Sequence, residues 1–340
     1  MTRPQLPESP APSPVTGEEP PAVSAPALSH SAAERGPRPP SWTIVCAAGI
    51  TVLLWASAFV GIRAAGHDFS PGALALGRMV AAALVLSVFV AVANAAARRR
   101  TAPRAAAARP LPGALPSGGP LGLIALWGVV WFGGYNVALN AAERLVDAGT
   151  AALLVSTAPI LVAVAAVLVL GERLRRRLGI GVAVAFAGVA LIAITGFTGR
   201  LDAMGIALAV LSAVLYASAV LLQKRLLVRV EAVTMTWLGT LAGTAALLPF
   251  LPVLLGELAA APTPSLLAML YLGVFPTAIG FLAWGYVLSH WTAGRTIAAT
   301  YLVPPVTVAL SWILLAEVPT PLALLGGALC LAGVVLATRR

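Results

Sequence analysis

From residue 79 to residue 97 this chain carries no formal charge, and neither do 148–171, 179–199, 203–223, 232–256, 258–294, 296–316 and 318–338. No other feature limits the fold as much. About 20 apolar residues at ~1.5 Å each cross the ~30 Å hydrocarbon core of a bilayer. Backbone polar groups have no water there, so spanning segments are helices or closed barrels. The runs are continuous rather than ten-residue alternations, which argues against a barrel. With 59% apolar and 10% charged residues, the composition lies outside that of soluble domains.

Cut at its punctuation, the sequence gives ten spans: 43–64, 72–96, 120–140, 147–170, 178–197, 203–223, 233–255, 265–289, 293–316 and 321–338. The expected fold is therefore an all-α membrane protein with ten transmembrane helices. The cuts fall at Pro249, Pro252 and Gly256, at Pro262 and Pro264, and at Pro319 and Pro321. The cut at 289–293 rests only on Ser289, His290 and Thr292. Residues 1–41 hold 11 prolines and no long apolar run. They read as a disordered, solvated cytoplasmic tail, since they bury too little to offset chain ordering. No apolar segment follows a basic start, so the tail is not a signal peptide. Pro-rich tails can also bind partner domains.

A net charge of +10 raises the question of nucleic acid, but the placement of the charges answers it. Arg98, Arg99, Arg100, Arg104 and Arg109 fall between spans two and three. Arg173, Arg175, Arg176 and Arg177 follow span four, and Lys224, Arg225 and Arg229 follow span six. With the tail and the carboxyl end, 18 basic residues lie on one face and only Arg63, Arg144 and Arg200 on the other. This asymmetry puts both termini in the cytoplasm and fits an even number of spans. The basic loops would meet anionic lipid. No nucleic-acid partner is expected; the use of 21 Arg and a single Lys fits a GC-rich bacterial genome, and the expected location is the bacterial inner membrane.

The chain also repeats itself. LWASA at 54–58 returns as LYASA at 215–219, with Ser57 and Ser218 separated by 161 residues. PILVAVAAVLVLGE at 159–172 returns as PPVTVALSWILLAE at 304–317, an offset of 145 that continues from Gly181 to Gly326 and from Gly188 to Gly333. The two offsets differ by 16, which the long connection around 98–119 accounts for. Two copies of a five-span unit result, 42–197 and 198–340. Five is odd, so the second copy enters the membrane inverted, the architecture of many secondary transporters.

LLWASAFVGIR at 53–63, Arg78 in span two, AGTAALLVSTAPILVAVAAVLVLGER at 148–173 and the Gly181/Gly188 pair, echoed in the second half, resemble the EamA-type branch of the drug/metabolite transporter superfamily. The resemblance covers about 42–338. It implies ten helices, inward termini, and export of small metabolites such as amino acids; other members move drugs or sugars.

Arg78 is the only formal charge well inside a span, where it normally faces protein or water. It can meet a carboxylate or phosphate, or bond backbone carbonyls. Trp55 and Tyr216 are mates in the repeat. Thr51 and Ser212 stand four residues earlier, on the same faces, so spans one and six each offer an aromatic-plus-hydroxyl edge to a cavity. Small residues at Ala56–Ser57–Ala58 equally suit helix packing. Span three carries Trp131, Tyr135, Asn136 and Asn140, whose amides need a substrate or an interhelical bond. Trp284, Thr300, Tyr301, Thr307 and Ser311 complete the candidate lining. Pro159 and Pro304 stand at matched positions inside spans four and nine, as hinges or static kinks. Spans five and ten, the least polar and richest in spaced small residues, belong at the periphery or at a homodimer contact. Cys46 and Cys330 read as small apolar fillers.

No metal-ligand spacing, cofactor motif or GxxxxGK[ST] loop is present, so no cofactor, metal or ATP drive is expected. No carboxylate lies mid-span. Glu172 and Glu317 read as structural, leaving only the end-of-span groups Glu143, Asp147 and His290 for proton coupling. An enzyme would need a nucleophile with a base or clustered acids. The expected activity is alternating-access export of a small organic solute; the alternatives are multidrug efflux and lipid flipping or scrambling.

Overall fold

The computed structural model describes residues 41–66, 68–100, 113, 116, 119–146, 154–171, 176–195, 202–315 and 318–338. All regular structure among them is helical. Eight helical runs are long and apolar enough to cross a membrane, and two shorter apolar helices, Ala158–Leu168 and Pro321–Ala337, accompany them.

In chain order the helices are α1 (Ser41–Ala65), α2 (Pro71–Arg100), α3 (Pro120–Gly128), α4 (Asn136–Leu145), α5 (Ala158–Leu170), α6 (Arg176–Thr195), α7 (Ala203–Leu226), α8 (Ala232–Leu247), α9 (Leu251–Ala260), α10 (Thr263–Leu272), α11 (Gly280–His290), α12 (Ala293–Ala299), α13 (Val303–Leu315) and α14 (Pro321–Thr338). Four pairs join end to end. A π turn at Val129–Tyr135 links α3 to α4, and another at Gly273–Ile279 links α10 to α11. Short 3-10 segments at Leu248–Phe250 and Thr300–Leu302 link α8 to α9 and α12 to α13.

Helix starts follow local chemistry. Proline opens α2, α3 and α14, where its missing N–H costs nothing. Asp202 accepts from the Gly205 N–H at 2.8 Å to cap α7, and Thr292 caps α12 through the Arg295 N–H at 3.3 Å; both are favoured N-cap residues. Trp291 is extended, so the sparse polar signal at 289–293 marks a real break. At Pro249 and Pro252 the expected end does not occur. Pro249 sits in the 3-10 segment and Pro252 in the first turn of α9, so the run reaches Ala260. Each proline occupies a position that needs no helical N–H bond.

Lipid gives helices no hydrophobic reason to associate, so close backbone approach at small residues holds such bundles together. Here α6 and α14 cross antiparallel through glycines. A Cβ on Gly181 would lie 2.5 Å from the Gly333 carbonyl oxygen, and one on Gly188 2.5 Å from that of Gly326. Cys330 is buried in the same seam, its thiol 3.4 Å from the Ala185 carbonyl. The glycines of the fifth and tenth expected spans thus face each other across this seam. Gly128 packs on Gly239 and Gly273 on the Arg78 backbone in the same manner. Faces away from these seams expose large apolar side chains such as Leu84, Val88, Leu168 and Ile313, as lipid contact requires.

Gly188→Val should lower the detergent Tm, by overpacking on the scale of about 1–3 kcal/mol. Gly179→Ala on the same helix meets nothing within 4 Å and should leave Tm unchanged or slightly raised. Equal losses in the two variants would contradict the seam.

Candidate functional site

Side-chain contacts identify the two ends of the bundle. At one, Lys224 donates to the carbonyls of Leu288, at 2.6 Å, and Trp291. Thr43 meets the Tyr286 hydroxyl there at 3.2 Å. This basic end also carries Arg225 and Arg229, both exposed. At the opposite end the Ser70 N–H donates to Glu257 at 2.9 Å, Ser265 donates to Asp68, and Asn140 donates to the Pro71 carbonyl at 3.1 Å.

A cavity of about 160 Å³ lies between α1, α2, the α3–α4 rod, α5, α7, the α10–α11 rod and the α12–α13 break. Ile62, Tyr135, Asn140, Val155 and Ser156 are half-exposed in its lining, as are Trp55, Thr300 and Pro304; Asn140 reaches the end opposite the basic loops through its bond to Pro71. The cavity floor is aromatic. Trp131 lies 5.4 Å from Tyr216 and 5.2 Å from Phe281 between ring centroids, and Trp55 lies 5.3 Å from Phe281 and 5.0 Å from Trp284. Such tilted and edge-to-face pairs fix ring positions. Beneath the floor Trp284, Gln223, Val287 and Leu288 are all buried, and the bundle is closed.

The cavity's charge is Arg78, only 8% exposed. Its Nε and Nη2 donate to the Thr277 hydroxyl at 3.2 and 3.0 Å. Thr277 in turn donates to the Leu272 carbonyl at 2.8 Å. Leu272 immediately precedes the π turn, in which Pro276 supplies no N–H. The π turn in α3–α4 is stabilised similarly: the Asn136 amide donates to the Trp131 and Phe132 carbonyls, both at 3.1 Å. Irregular turns therefore aim side chains into the cavity, as π bulges at functional sites often do. Among the described residues no carboxylate bonds Arg78; the neutral Thr277 hydroxyl takes both of these bonds. The guanidinium is a planar five-donor fork suited to a bidentate oxyanion.

The structure brings together Trp55, Arg78, Trp131, Tyr135, Asn136, Tyr216, Thr300 and Tyr301 around this cavity, with Asn140, Pro159 and Pro304. Thr51, Ser212 and Trp284 do not line it. The hydroxyls of Thr51 and Ser212 each donate to the carbonyl four residues back, Ala47 and Leu208, at 2.9 Å; this local bond turns them from the cavity. Trp284 lies below the floor, its indole N–H donating to Gln223 Oε1 at 2.9 Å. Thr307 donates to the Val303 carbonyl at 2.9 Å. Pro159 stands in the first turn of α5, not mid-helix. Pro304 likewise follows a break, at Thr300–Leu302. At both sites the irregular backbone precedes the proline. His290 is exposed. Glu172, Glu317 and Asp147, with the side chains of Glu143 and Ser311, lie outside the described residues.

Phe281, Pro276 and Thr277 were not among the sequence candidates. Adding the repeat offset of 145 to Trp131, Phe132 and Asn136 lands on Pro276, Thr277 and Phe281, so the duplication already held the signal.

Comparison with known proteins accords with this geometry. The model of the EamA-like transporter family matches twice, at residues 42–194 and 203–339. A probable terminal-alkyne amino-acid exporter of Streptantibioticus cattleyicolor is 36% identical over 302 residues, covering 88% of this chain and 93% of that protein. A probable amino-acid metabolite efflux pump of Salmonella typhimurium is 28% identical, over 84% of this chain and 91% of its own. A solved crystal structure shares the fold with a TM-score of 0.66 at 20% identity, over 87% of this chain and 96% of that one. The chain is a multi-pass membrane protein and belongs to the EamA-like transporter family.

Proposed function

We propose that this protein exports a small organic solute bearing a carboxylate, an amino acid or a close relative, by alternating access between two inverted five-helix repeats, 42–197 and 198–340. The observation that carries the reading is a cavity that joins one buried guanidinium to aromatic walls. Arg78 takes the carboxylate; Trp55, Trp131 and Tyr216 cover the apolar remainder, as small-molecule sites combine apolar walls with few polar anchors. The names of the S. cattleyicolor and S. typhimurium relatives support an amino-acid class.

The repeat draws support from contacts that exchange with themselves. Offsets of 145 and 161 turn the pair Gly128–Gly239 into Gly273–Arg78, and both are backbone-close packings. They turn Gly181–Gly333 into Gly326–Gly188. Tyr301 donates to the Ser156 carbonyl at 3.0 Å, and Cys330 meets Ala185; each pair is separated by the offset itself. Contacts of this kind lie on a pseudo-twofold axis, the relation that lets two inverted halves swap an outward-open for an inward-open arrangement. On this reading both termini are cytoplasmic, the ten helices all span, the basic end faces the cytoplasm of a bacterial inner membrane, and the structure is outward-facing. Solute and lipid are the partners.

Expressed in a bacterial host, the wild type should enrich the medium in amino acids or related zwitterions relative to an empty vector. Arg78→Ala should cut this export at least about tenfold, the scale of one charge-assisted contact. Trp55→Ala should weaken it for solutes with large apolar side chains. An unchanged medium, with altered susceptibility to toxic compounds or altered lipid asymmetry, would replace this reading with drug efflux or lipid movement. For orientation, Arg229→Cys should react with an impermeant thiol reagent only from the cytoplasmic side and Thr263→Cys only from outside. The reverse pattern would invert the topology.

A further inference from the structure

The closed half of the bundle holds a polar group of atoms that packing alone does not explain. Gln223 on α7 and Thr236 on α8 are both fully buried. Gln223 spends its carbonyl oxygen on Trp284, while its amide nitrogen and the Thr236 hydroxyl have no hydrogen-bond partner. Both atoms lie 3.7 Å from where a Cβ on Gly285 would sit, so the two unpartnered groups converge on the same glycine. Buried donors without partners are rare and costly, and they mark sites where another state or a ligand supplies the partner. Trp284 also borders a crevice of about 10 Å³ lined by Thr51, Thr296 and Thr300, room for about one water.

The duplication supplies an independent pointer to the same place. Four residues that line the open cavity are Ile62, Met79, Leu139 and Asn140. Adding 161 to the first two and 145 to the others gives Gln223, Thr240, Trp284 and Gly285. The buried polar group therefore occupies the position of the open cavity in the other half. Arg78 maps to Gly239, so the counterpart has no fixed cation.

We infer that Gln223, Thr236, Thr240 and Trp284 form a latent second chamber, which opens toward the basic end and receives the solute's carboxylate on the Gln223 amide and the Thr236 hydroxyl. The inference rests on the alternating-access reading. In the present state the chamber is held shut by Gln223 bonded to Trp284 and by Lys224 donating to the carbonyls of Leu288 and Trp291. Opening exchanges the two unpartnered groups from dry protein to water or solute. With neutral donors in place of Arg78, this chamber holds the carboxylate more loosely than the open cavity does.

The test uses the full chain with Cys46→Ser and Cys330→Ala as background, in membrane vesicles of both orientations, and an impermeant methanethiosulfonate reagent. Thr236→Cys should react from the basic side only, and Ala58→Cys, in the open cavity, from the opposite side only. Thr240→Cys repeats the first arm should Thr236→Cys fail to insert. Gln223→Leu should lower amino-acid export about tenfold through a raised cytoplasmic KM, with Gln223→Asn partly restoring it. If Ala58→Cys reacts while both threonine positions stay inert in transporting protein, the chamber is overturned and alternating access survives by another route. If Ala58→Cys is inert from both sides as well, the alternating-access reading itself fails and the chamber with it.

Discussion

Helices in hydrocarbon gain nothing by hiding apolar side chains from one another, so this bundle depends on places where backbones touch. Gly128 against Gly239, Gly273 against the Arg78 backbone, and the paired crossings of α6 and α14 are those places. Each admits no Cβ. Together they bring α2, the α10–α11 rod, the α3–α4 rod and α8 close enough for two π turns to be supported by Asn136 and Thr277. The same close approach that holds α2 to Gly273 delivers Arg78 to Thr277, so packing and site share one contact.

The aromatic floor then divides the space. Above it, Arg78 sits with hydroxyls and half-exposed side chains; below it, Gln223, Thr236 and Lys224 are drawn into internal bonds or left without partners. A buried guanidinium in a span costs roughly 2.5–3.5 kcal/mol on insertion scales, and one bond to a threonine hydroxyl offsets little of that. On the proposed reading an arriving carboxylate improves the balance and gives the cavity its chemical preference. Solute selection and helix packing are thus coupled through α2.

Much of this was legible in the sequence because lipid imposes so few options. Charge-free runs gave the helices, and LWASA/LYASA with the matched Pro-to-Glu segments gave the duplication that the twofold family match repeats. Trp55, Arg78, Trp131 and Tyr216 could be selected as rare residue types at depth, and they do meet at one cavity. What stayed hidden were features set by local backbone geometry. Thr51 and Ser212 share faces with Trp55 and Tyr216, yet back-bonding to their own helices removes them. The π turns, which rotate Asn136 and Thr277 into place, have no period of their own to read. Pro249 and Pro252 look like terminators but sit where no N–H is needed. Phe281 and Thr277 became visible only by carrying the repeat offset from α3–α4 into α10–α11.

The central claim is that the two halves exchange roles across a pseudo-twofold, and distance measurement between spin labels tests it most directly. One pair, Arg229 with Ser289, reports the basic end; the other, Arg144 with Thr263, reports the opposite end. All four positions are exposed. The account predicts two populations in lipid, in which the first pair separates as the second approaches, with the balance shifting on addition of an exported amino acid. A single population at both ends, unmoved by any transported solute, would contradict it.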